Sequence, residues 1–374
     1  MKEPFIFGRA VSGEYFTDRE NETKKLVDNF RYGINTIIVS PRRYGKTSLV
    51  KKAINCCVDP DVRIVFLDVF SSRNPEEFCK IFADAIIKQT SSRVEEWIEE
   101  AKRFLSHLAP RINISPDPLS EVSLSFGVIP SEMDIDSILD LPEKIAKSKN
   151  CRIVVCIDEF QQVGEYSQSL HFQRKLRTHW QHHESASYCL FGSKKHMMNE
   201  LFEKPSNPFY KFGELINLNK IGTEDWVKFI IERFNSSGKT MPQSVAEQIC
   251  RLTDTYSSYV QQLSWLVWIK YDKDHLDEVL QQAYEELLAH SSVLFEQQTQ
   301  DLTAYQMNFL KALTDDVNKD FTSKEILRQY ELGTAANITR LKNALIKKEL
   351  IEYSQGNYRI TDPILKEWLR RRFI

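Results

Sequence analysis

Paired metal-binding cysteines, an excess of charge of one sign and long apolar runs are all missing from this 374-residue sequence. Its seven cysteines are odd in number, and none stands in a C-x-x-C pair, so the spacing excludes a common class of zinc site and indicates reduced thiols. The formal net charge of −2 excludes a uniformly basic nucleic-acid-coating protein, although it leaves a local basic patch open.

Membrane and export signals are lacking as well. No apolar run reaches the roughly 20 residues that a membrane-spanning helix needs, and the stretch from Met1 to Phe5 has no signal-peptide pattern. We therefore expect a cytoplasmic protein with no membrane partner. Apolar residues make up 42% of the chain and charged residues 27%, as in soluble globular proteins, and the length predicts two or three domains.

Glycine is scarce, with 12 residues in the chain, and one glycine is missing from the most informative segment. After the apolar run 36–39, the sequence matches the pattern G-x-x-x-x-G-K-[ST] except at its first position, where Ser40 stands. A strand that leads through a Gly-Lys-Thr turn into a helix directs backbone N–H groups and one lysine at phosphates. We interpret this segment as a nucleotide-binding loop, called the phosphate loop below, with the sequence Ser40-Pro41-Arg42-Arg43-Tyr44-Gly45-Lys46-Thr47-Ser48.

Two side chains of this loop have predicted roles. Lys46 is expected to contact the β- and γ-phosphates, and the hydroxyl of Thr47 is expected to bind Mg²⁺. The same tripeptide occurs again at Gly238-Lys239-Thr240. There it follows the helical pattern of residues 224–234 and precedes Pro242, so no strand leads into it. We predict that this second copy is a surface turn.

A second apolar run, residues 153–157, ends in the adjacent carboxylates Asp158 and Glu159. Such a run is typical of a parallel strand that is covered on both faces, and chemistry in parallel sheets lies at the carboxyl ends of the strands. We expect Asp158 to hold Mg²⁺ and Glu159 to orient or deprotonate the attacking water. The pair thus favours hydrolysis, and the alternative is an acidic strand exit without a metal.

Strand and helix patterns alternate through the first two hundred or so residues. This alternation predicts an α/β fold, a parallel sheet with helices on both faces, in a nucleotide-binding domain over residues 1–221. Residues 110–130 alternate apolar and polar side chains, which predicts a hairpin insertion that covers a sheet edge or serves as a partner surface. Helical periodicity over residues 222–299 predicts a lid domain.

The last segment, residues 300–374, has the order helix, helix, helix, strand, strand, helix, which predicts a winged helix-turn-helix domain. Its third helix carries four basic residues that could contact DNA: Arg340, Lys342, Lys347 and Lys348. Acidic residues nearby weaken the positive field, and phosphate neutralisation dominates DNA affinity. DNA binding and a winged helix used for packing or protein contact therefore both stay open.

In these segments and their order, the chain resembles the archaeal-type ATPases, which belong to the STAND branch of the P-loop NTPases and are related to the AAA+ ATPases. The likeness covers nearly the whole length. Besides the two nucleotide-site segments, three segments are similar to family motifs: Tyr15-Phe16-Thr17-Asp18-Arg19-Glu20 to the N-terminal "F-x-x-R-E" box, Phe191-Gly192-Ser193 at the end of a later strand, and the stretch from Asp362-Pro363 to Trp368 to the C-terminal "D-P-x-x-x-x-W" motif.

The resemblance implies an ATP-controlled switch that binds ATP or ADP with Mg²⁺ between sheet and lid. It further implies that Arg19 lies near the adenine and that Ser193 occupies the position that senses the γ-phosphate. The chain departs from the family at Thr255-Tyr256-Ser257, where Gly-His-Pro is usual, and this replacement removes a proline constraint and a histidine contact.

We therefore expect a slow Mg²⁺-dependent ATPase that acts as a nucleotide-controlled regulatory switch. The absence of an Asn-Lys-x-Asp element favours adenine over guanine, by analogy with the family. Two alternatives stay open: a DNA-binding regulator whose ATP site controls occupancy, and a nucleotide-bound scaffold for protein partners that does not turn over.

Overall fold

The computed structural model describes residues 3–105, 110–113, 123–126 and 132–373. Residues 19–219 form one compact unit, and the described residues before 19 and after 219 form the other. Among the helices of these described residues, none combines the length and the apolar character that crossing a bilayer requires.

The strands are β1 (Thr36–Val39), β2 (Val62–Asp68), β3 (Pro110–Asn113), β4 (Ser123–Phe126), β5 (Arg152–Asp158), β6 (Ala186–Gly192), β7 (Glu214–Asn217), β8 (Ile351–Ser354) and β9 (Asn357–Ile360). The helices are α1 (Glu20–Tyr32), α2 (Lys46–Cys56), α3 (Pro75–Thr90), α4 (Val94–Phe104), α5 (Glu132–Leu139), α6 (Leu141–Lys149), α7 (Ser169–Trp180), α8 (Lys195–Glu203), α9 (Thr223–Ser236), α10 (Gln243–Leu252), α11 (Ser257–Ile269), α12 (Leu276–Thr299), α13 (Ala304–Thr314), α14 (Lys324–Gln329), α15 (Ala335–Lys347) and α16 (Pro363–Phe373).

The first unit is built on a five-stranded sheet of order β2-β5-β6-β1-β7, in which every neighbouring pair is parallel. Alternate residues of a strand point to opposite faces, and in β5 both Val155 and its neighbour Val154 are buried. Helices therefore cover both faces, and the predicted α/β fold class is confirmed. Because all five strands run the same way, their carboxyl ends lie along one edge of the sheet.

The predicted hairpin insertion is present as β3 and β4, which pair antiparallel with Pro110 opposite Phe126. These strands form a sheet of their own, separate from the five-stranded one. The alternation predicted for residues 110–130 included Ile114 and Val122, which lie outside the described residues.

The second unit contains the helices α9 to α12, followed by a winged helix made of α13, α14, α15, the antiparallel pair β8–β9 and α16. The winged helix is fastened to the preceding helices by side chains of α16. Trp368 packs on Phe295 with ring centroids 5.8 Å apart, and its indole N–H donates to Ser292 at 3.0 Å. The predicted winged-helix domain is thereby confirmed as a fold.

Several elements were not predicted from the sequence, namely the edge strand β7 and the helices α1, α4, α5, α6 and α8. In β7 only Leu215 and Ile216 are apolar, and such a short run has no readable period. The strand is specified by its neighbour instead, because it pairs with β1 in register from Thr36 opposite Glu214.

Candidate functional site

The loop between β1 and α2 is shaped by two left-handed residues. Gly45 precedes the first residue of α2 with φ 86°, and Arg43 has φ 67°. A Cβ on Gly45 would meet nothing within 4 Å, so this position favours glycine because of its backbone conformation and not for lack of space. The turn places the N-terminal N–H groups of α2 at the carboxyl edge of the sheet, where a helix start attracts anions.

Lys46 is nearly buried, with 7% of its surface exposed. Its ammonium donates to the carbonyl oxygens of Ser40 (3.2 Å) and Pro41 (3.0 Å) and to the Ser40 hydroxyl (3.2 Å). The hydroxyl that replaces the expected glycine is thus one more acceptor for this ammonium. A phosphate that binds Lys46 has to compete with acceptors of the loop itself.

The two predicted metal ligands lie in direct contact. The Thr47 hydroxyl donates to Asp158 Oδ2 at 2.7 Å, and the backbone N–H of Glu159 donates to Asp158 Oδ1 at 2.8 Å. Burial raises the pKa of Asp158 to about 6. The hydrogen bond from Thr47 lowers this pKa, whereas the negative charges of Glu159 and Asp68 raise it further. A nearby cation would relieve this unfavourable burial of charge.

Glu159 sits at the end of β5 in a left-handed conformation, with φ 55°. Its Oε2 accepts a hydrogen bond from the Ser193 hydroxyl at 2.8 Å and another from the amide of Gln161. Ser193 directly follows β6, the strand next to β5 in the sheet. The structure therefore brings together the phosphate loop, both carboxylates and Ser193 at one sheet edge.

Arg19 lies elsewhere in the same unit, at the start of α1. It is buried, pairs with Glu22 at 2.9 Å and donates to the backbone carbonyl of Asn219. These contacts tie the start of α1 to the segment after β7. A role near the adenine stays a prediction. The other predicted loop residues divide by exposure: Pro41, Tyr44 and Ser48 are buried, Arg43 is half-buried and Arg42 is exposed.

Asp68 was missed by the sequence analysis. It ends β2 in register with Asp158 and contributes to the raised pKa of that carboxyl. A signal existed, since the alternation of strand and helix patterns includes a strand over residues 63–69, and its carboxyl end reaches the same edge of a parallel sheet. Gln161 was missed too, and no sequence pattern distinguished it from its neighbour Gln162.

Thr47 and Asp158 are the candidate protein ligands for Mg²⁺. In the part of the chain that the structure describes, no group of three or more His, Cys, Asp or Glu side chains could hold a metal ion by itself. Mg²⁺ is commonly bound by one or two protein oxygens together with substrate phosphates and water, so the hydroxyl of Thr47 and the carboxylate of Asp158 fit this ion.

The four basic residues predicted for DNA contact differ in exposure. Arg340 and Lys347 are exposed on α15, and Lys348 is exposed directly after it. Lys342 instead lies over the rings of Tyr358 (4.2 Å) and Phe321 (5.1 Å), and burial lowers its pKa. Lys342 is therefore part of the packing of the winged helix.

The segment that departs from the family motif lies at the start of α11 and contacts the winged helix. The Tyr256 hydroxyl donates to the carbonyl oxygen of Thr361, and the Tyr259 hydroxyl donates to Asp362 at 2.6 Å. Asp362 in turn accepts from the N–H groups of Ile364 and Leu365 at the start of α16. The first aspartate of the C-terminal "D-P-x-x-x-x-W" segment thus both caps a helix and anchors it.

Comparison with solved structures identifies the same architecture in two proteins from archaea. The Walker-type ATPase PABY2304 of Pyrococcus abyssi is 16% identical, with 98% of this chain and 99% of that chain covered and a TM-score of 0.70. The ORC2 protein of Aeropyrum pernix, in ADPNP–ADP complexes, is 13% identical over 99% of both chains, with a TM-score of 0.56. No curated protein matches the sequence.

Two family models match the sequence itself. The model described as "Probable winged helix domain" matches residues 293–371. The model described as "ATPase domain predominantly from Archaea" matches residues 16–263, about two thirds of the chain, and this stretch contains the phosphate loop, the carboxylate pair and Ser193. The chain therefore belongs to this family of P-loop ATPases found predominantly in Archaea, and it carries a winged-helix domain at its C-terminal end.

Proposed function

We propose that this protein is a slow Mg²⁺-dependent ATPase whose nucleotide state regulates a partner. The observation that carries the proposal is the contact between Thr47 and Asp158, 2.7 Å apart, next to Lys46 and Glu159 at one sheet edge. An ammonium can bind the phosphates of a nucleoside triphosphate, and a hydroxyl with carboxylates can bind its metal ion.

Each group has a distinct proposed role. Lys46 binds the β- and γ-phosphates, while Thr47 and Asp158 hold Mg²⁺, which neutralises phosphate charge when bound. Glu159 accepts a proton from the water that attacks the γ-phosphate, so that ATP and water give ADP and phosphate. Ser193 is close enough to Glu159 to respond to the γ-phosphate and to the carboxylate together.

Slow turnover is supported by the hydrogen bonds that Lys46 makes within its own loop. The ammonium of Lys46 already has three acceptors in its own loop. These bonds have to rearrange when nucleotide and water bind, which raises the barrier relative to a site of free groups.

The regulatory part of the proposal is supported by the second unit. Hydrogen bonds from Tyr256 and Tyr259 join the start of α11 to the start of α16, so a displacement of α11 would be passed to the winged helix. We propose that the helices of residues 222–299 and the winged helix of residues 300–374 respond to the nucleotide as one element.

Phosphate release from purified full-length protein tests the function directly. With ATP and Mg²⁺ we expect slow, reproducible release that EDTA abolishes, and GTP should be a poorer substrate. Nucleotide that co-purifies should be ATP or ADP. Retained nucleotide without any phosphate release would instead support the scaffold without turnover.

A second candidate is a DNA-binding regulator, which is favoured by the exposed side chains of Arg340 and Lys347 on α15 and of Lys348 directly after it. Affinity for duplex DNA should then fall steeply with salt and weaken in Arg340→Ala and Lys347→Ala. Arg251→Ala, which removes an exposed arginine of α10, is the matched control. Equal DNA affinity in all variants would exclude this surface.

A further inference from the structure

The side chain of Gln161 is enclosed beside the carboxylate pair. It is 1% exposed and lies in the short 3-10 helix Phe160–Glu165 that follows Glu159. Its amide nitrogen donates to Glu159 Oε2, the same oxygen that accepts the Ser193 hydroxyl. Two neutral donors therefore converge on one carboxylate oxygen.

Gly192 makes the space for this amide. A Cβ placed on Gly192 would lie 1.7 Å from Gln161 Oε1 and 3.1 Å from Met198 Sδ. The backbone does not require glycine there, because Gly192 is not among the residues with positive φ. Glycine is thus required at the end of β6 only because a larger residue would not fit, and the amide of Gln161 occupies the space.

The packing of Gln161 is costly for the fold. Its Oε1 is buried and, among the described residues, has no hydrogen-bond partner. Rotating the amide would turn this oxygen toward the carboxylate of Glu159, so the orientation with the NH₂ group toward Glu159 is fixed by charge. The amide of Gln161 donates a hydrogen bond to Glu159 while its own oxygen stays unpaired among the described residues. A contribution to folding stability alone does not account for this arrangement.

We propose that Gln161 is a positioning residue for Glu159 and that Gly192 is required to admit it. Gln161 and Ser193 together hold Oε2, which leaves Oε1 of Glu159 to receive the proton of the attacking water. This inference rests on the proposed ATPase function. It adds two residues to the proposed site: Gln161, which follows β5, and Gly192, at the end of β6.

The test compares Gln161→Met with Gln162→Met. Methionine preserves the length of the side chain and removes the amide, and Gln162 bonds Glu159 only through its backbone N–H at 2.9 Å among the contacts seen here. For Gln161→Met we expect kcat to fall roughly 10- to 100-fold, the range for loss of a hydrogen bond to a charged group, with unchanged KM and ATP affinity. Gln162→Met should match the wild type.

A second pair of variants keeps the test valid if Gln161→Met is unstable. Gly192→Ala should lower kcat in the same way, whereas Gly164→Ala, whose Cβ would meet Met197 at an ordinary 3.4 Å, should not. In a Gln161→Ala background, Gly192→Ala should cause little further loss, because the clashing amide is gone.

The outcomes separate the two proposals. Turnover by the wild type with an unchanged kcat in both Gln161→Met and Gly192→Ala would overturn this inference alone. A loss of ATP affinity in place of kcat, or additive effects in the double variant, would assign Gln161 a structural role and overturn it too. Absence of turnover in the wild type would overturn the proposed function and this inference with it.

Discussion

The tripeptide Gly-Lys-Thr occurs twice in this chain, and the two copies lie in different structural surroundings. Both glycines are left-handed, with φ 86° at Gly45 and 77° at Gly238. Gly45 precedes a helix, whereas Gly238 follows one, its N–H bonded to Asn235 near the end of α9. Only the first copy sits at the positive end of a helix dipole and at the carboxyl edge of a parallel sheet.

The two lysines are used in opposite ways. Lys46 is held among polar acceptors beside a pair of carboxylates. Lys239 lies over the rings of Trp268 (4.5 Å) and Tyr271 (5.0 Å) and donates to the carbonyl oxygen of Trp268. We propose that the first copy binds a ligand, whereas the second packs against Trp268 of α11. The predicted surface turn at Gly238 is confirmed.

The largest expected difference is in ATP affinity. Lys46→Ala should weaken ATP binding roughly 100-fold or more, because charge-assisted hydrogen bonds to phosphate are worth about 3 kcal/mol. Lys239→Ala, the same change in the same tripeptide, should leave affinity unchanged. Calorimetric titration of both variants with ATP and Mg²⁺ checks this. Similar losses in both would break the contrast between the two copies.

A smaller effect is expected on the free energy of unfolding, because the carboxyl of Asp158, which contacts Thr47 of the first copy, is buried. The folded state binds a proton at Asp158 up to about pH 6, while the ordinary pKa is near 3.8, so stability falls as pH rises between these values. Asp158→Asn removes a cost of about 3 kcal/mol at pH 7, and it weakens the bond from the Glu159 N–H by about 1 kcal/mol because a neutral amide oxygen replaces a carboxylate oxygen.

The expected net result is a gain of about 2 kcal/mol in the free energy of unfolding at pH 7. The gain should disappear at pH 4, where the wild-type carboxyl is largely protonated in the folded state. Denaturant unfolding of both proteins at the two pH values measures it. A gain of equal size at both pH values would show that ionisation of Asp158 is not its source.

The smallest effect belongs to the second copy. Lys239→Ala should lower the free energy of unfolding by about 1 kcal/mol, because it removes the contacts with two aromatic rings and one hydrogen bond. Lys239→Met, which retains the apolar stem, should lose less. A Lys239→Ala protein as stable as the wild type would mean that the turn does not depend on this lysine.

The same comparison shows what sequence can and cannot reveal. The loop at Gly45 and the pair Asp158–Glu159 were predicted because each follows a buried strand, and parallel strands bring their carboxyl ends together. Gln161 and the space at Gly192 could not be predicted, since they depend on which side chain fills a gap between two segments 31 positions apart. The contacts of Lys342 could not be predicted for a similar reason, because its aromatic neighbours come from a loop and a strand.

Glu159→Gln, measured for ATP binding and phosphate release in one preparation, tests the central claim most directly. Amide for carboxylate preserves shape and removes the proton acceptor, so we expect wild-type ATP affinity with phosphate release lowered by roughly 100- to 10,000-fold. Phosphate release at the wild-type rate would contradict the account, because the acid at the end of β5 would then have no part in the chemistry.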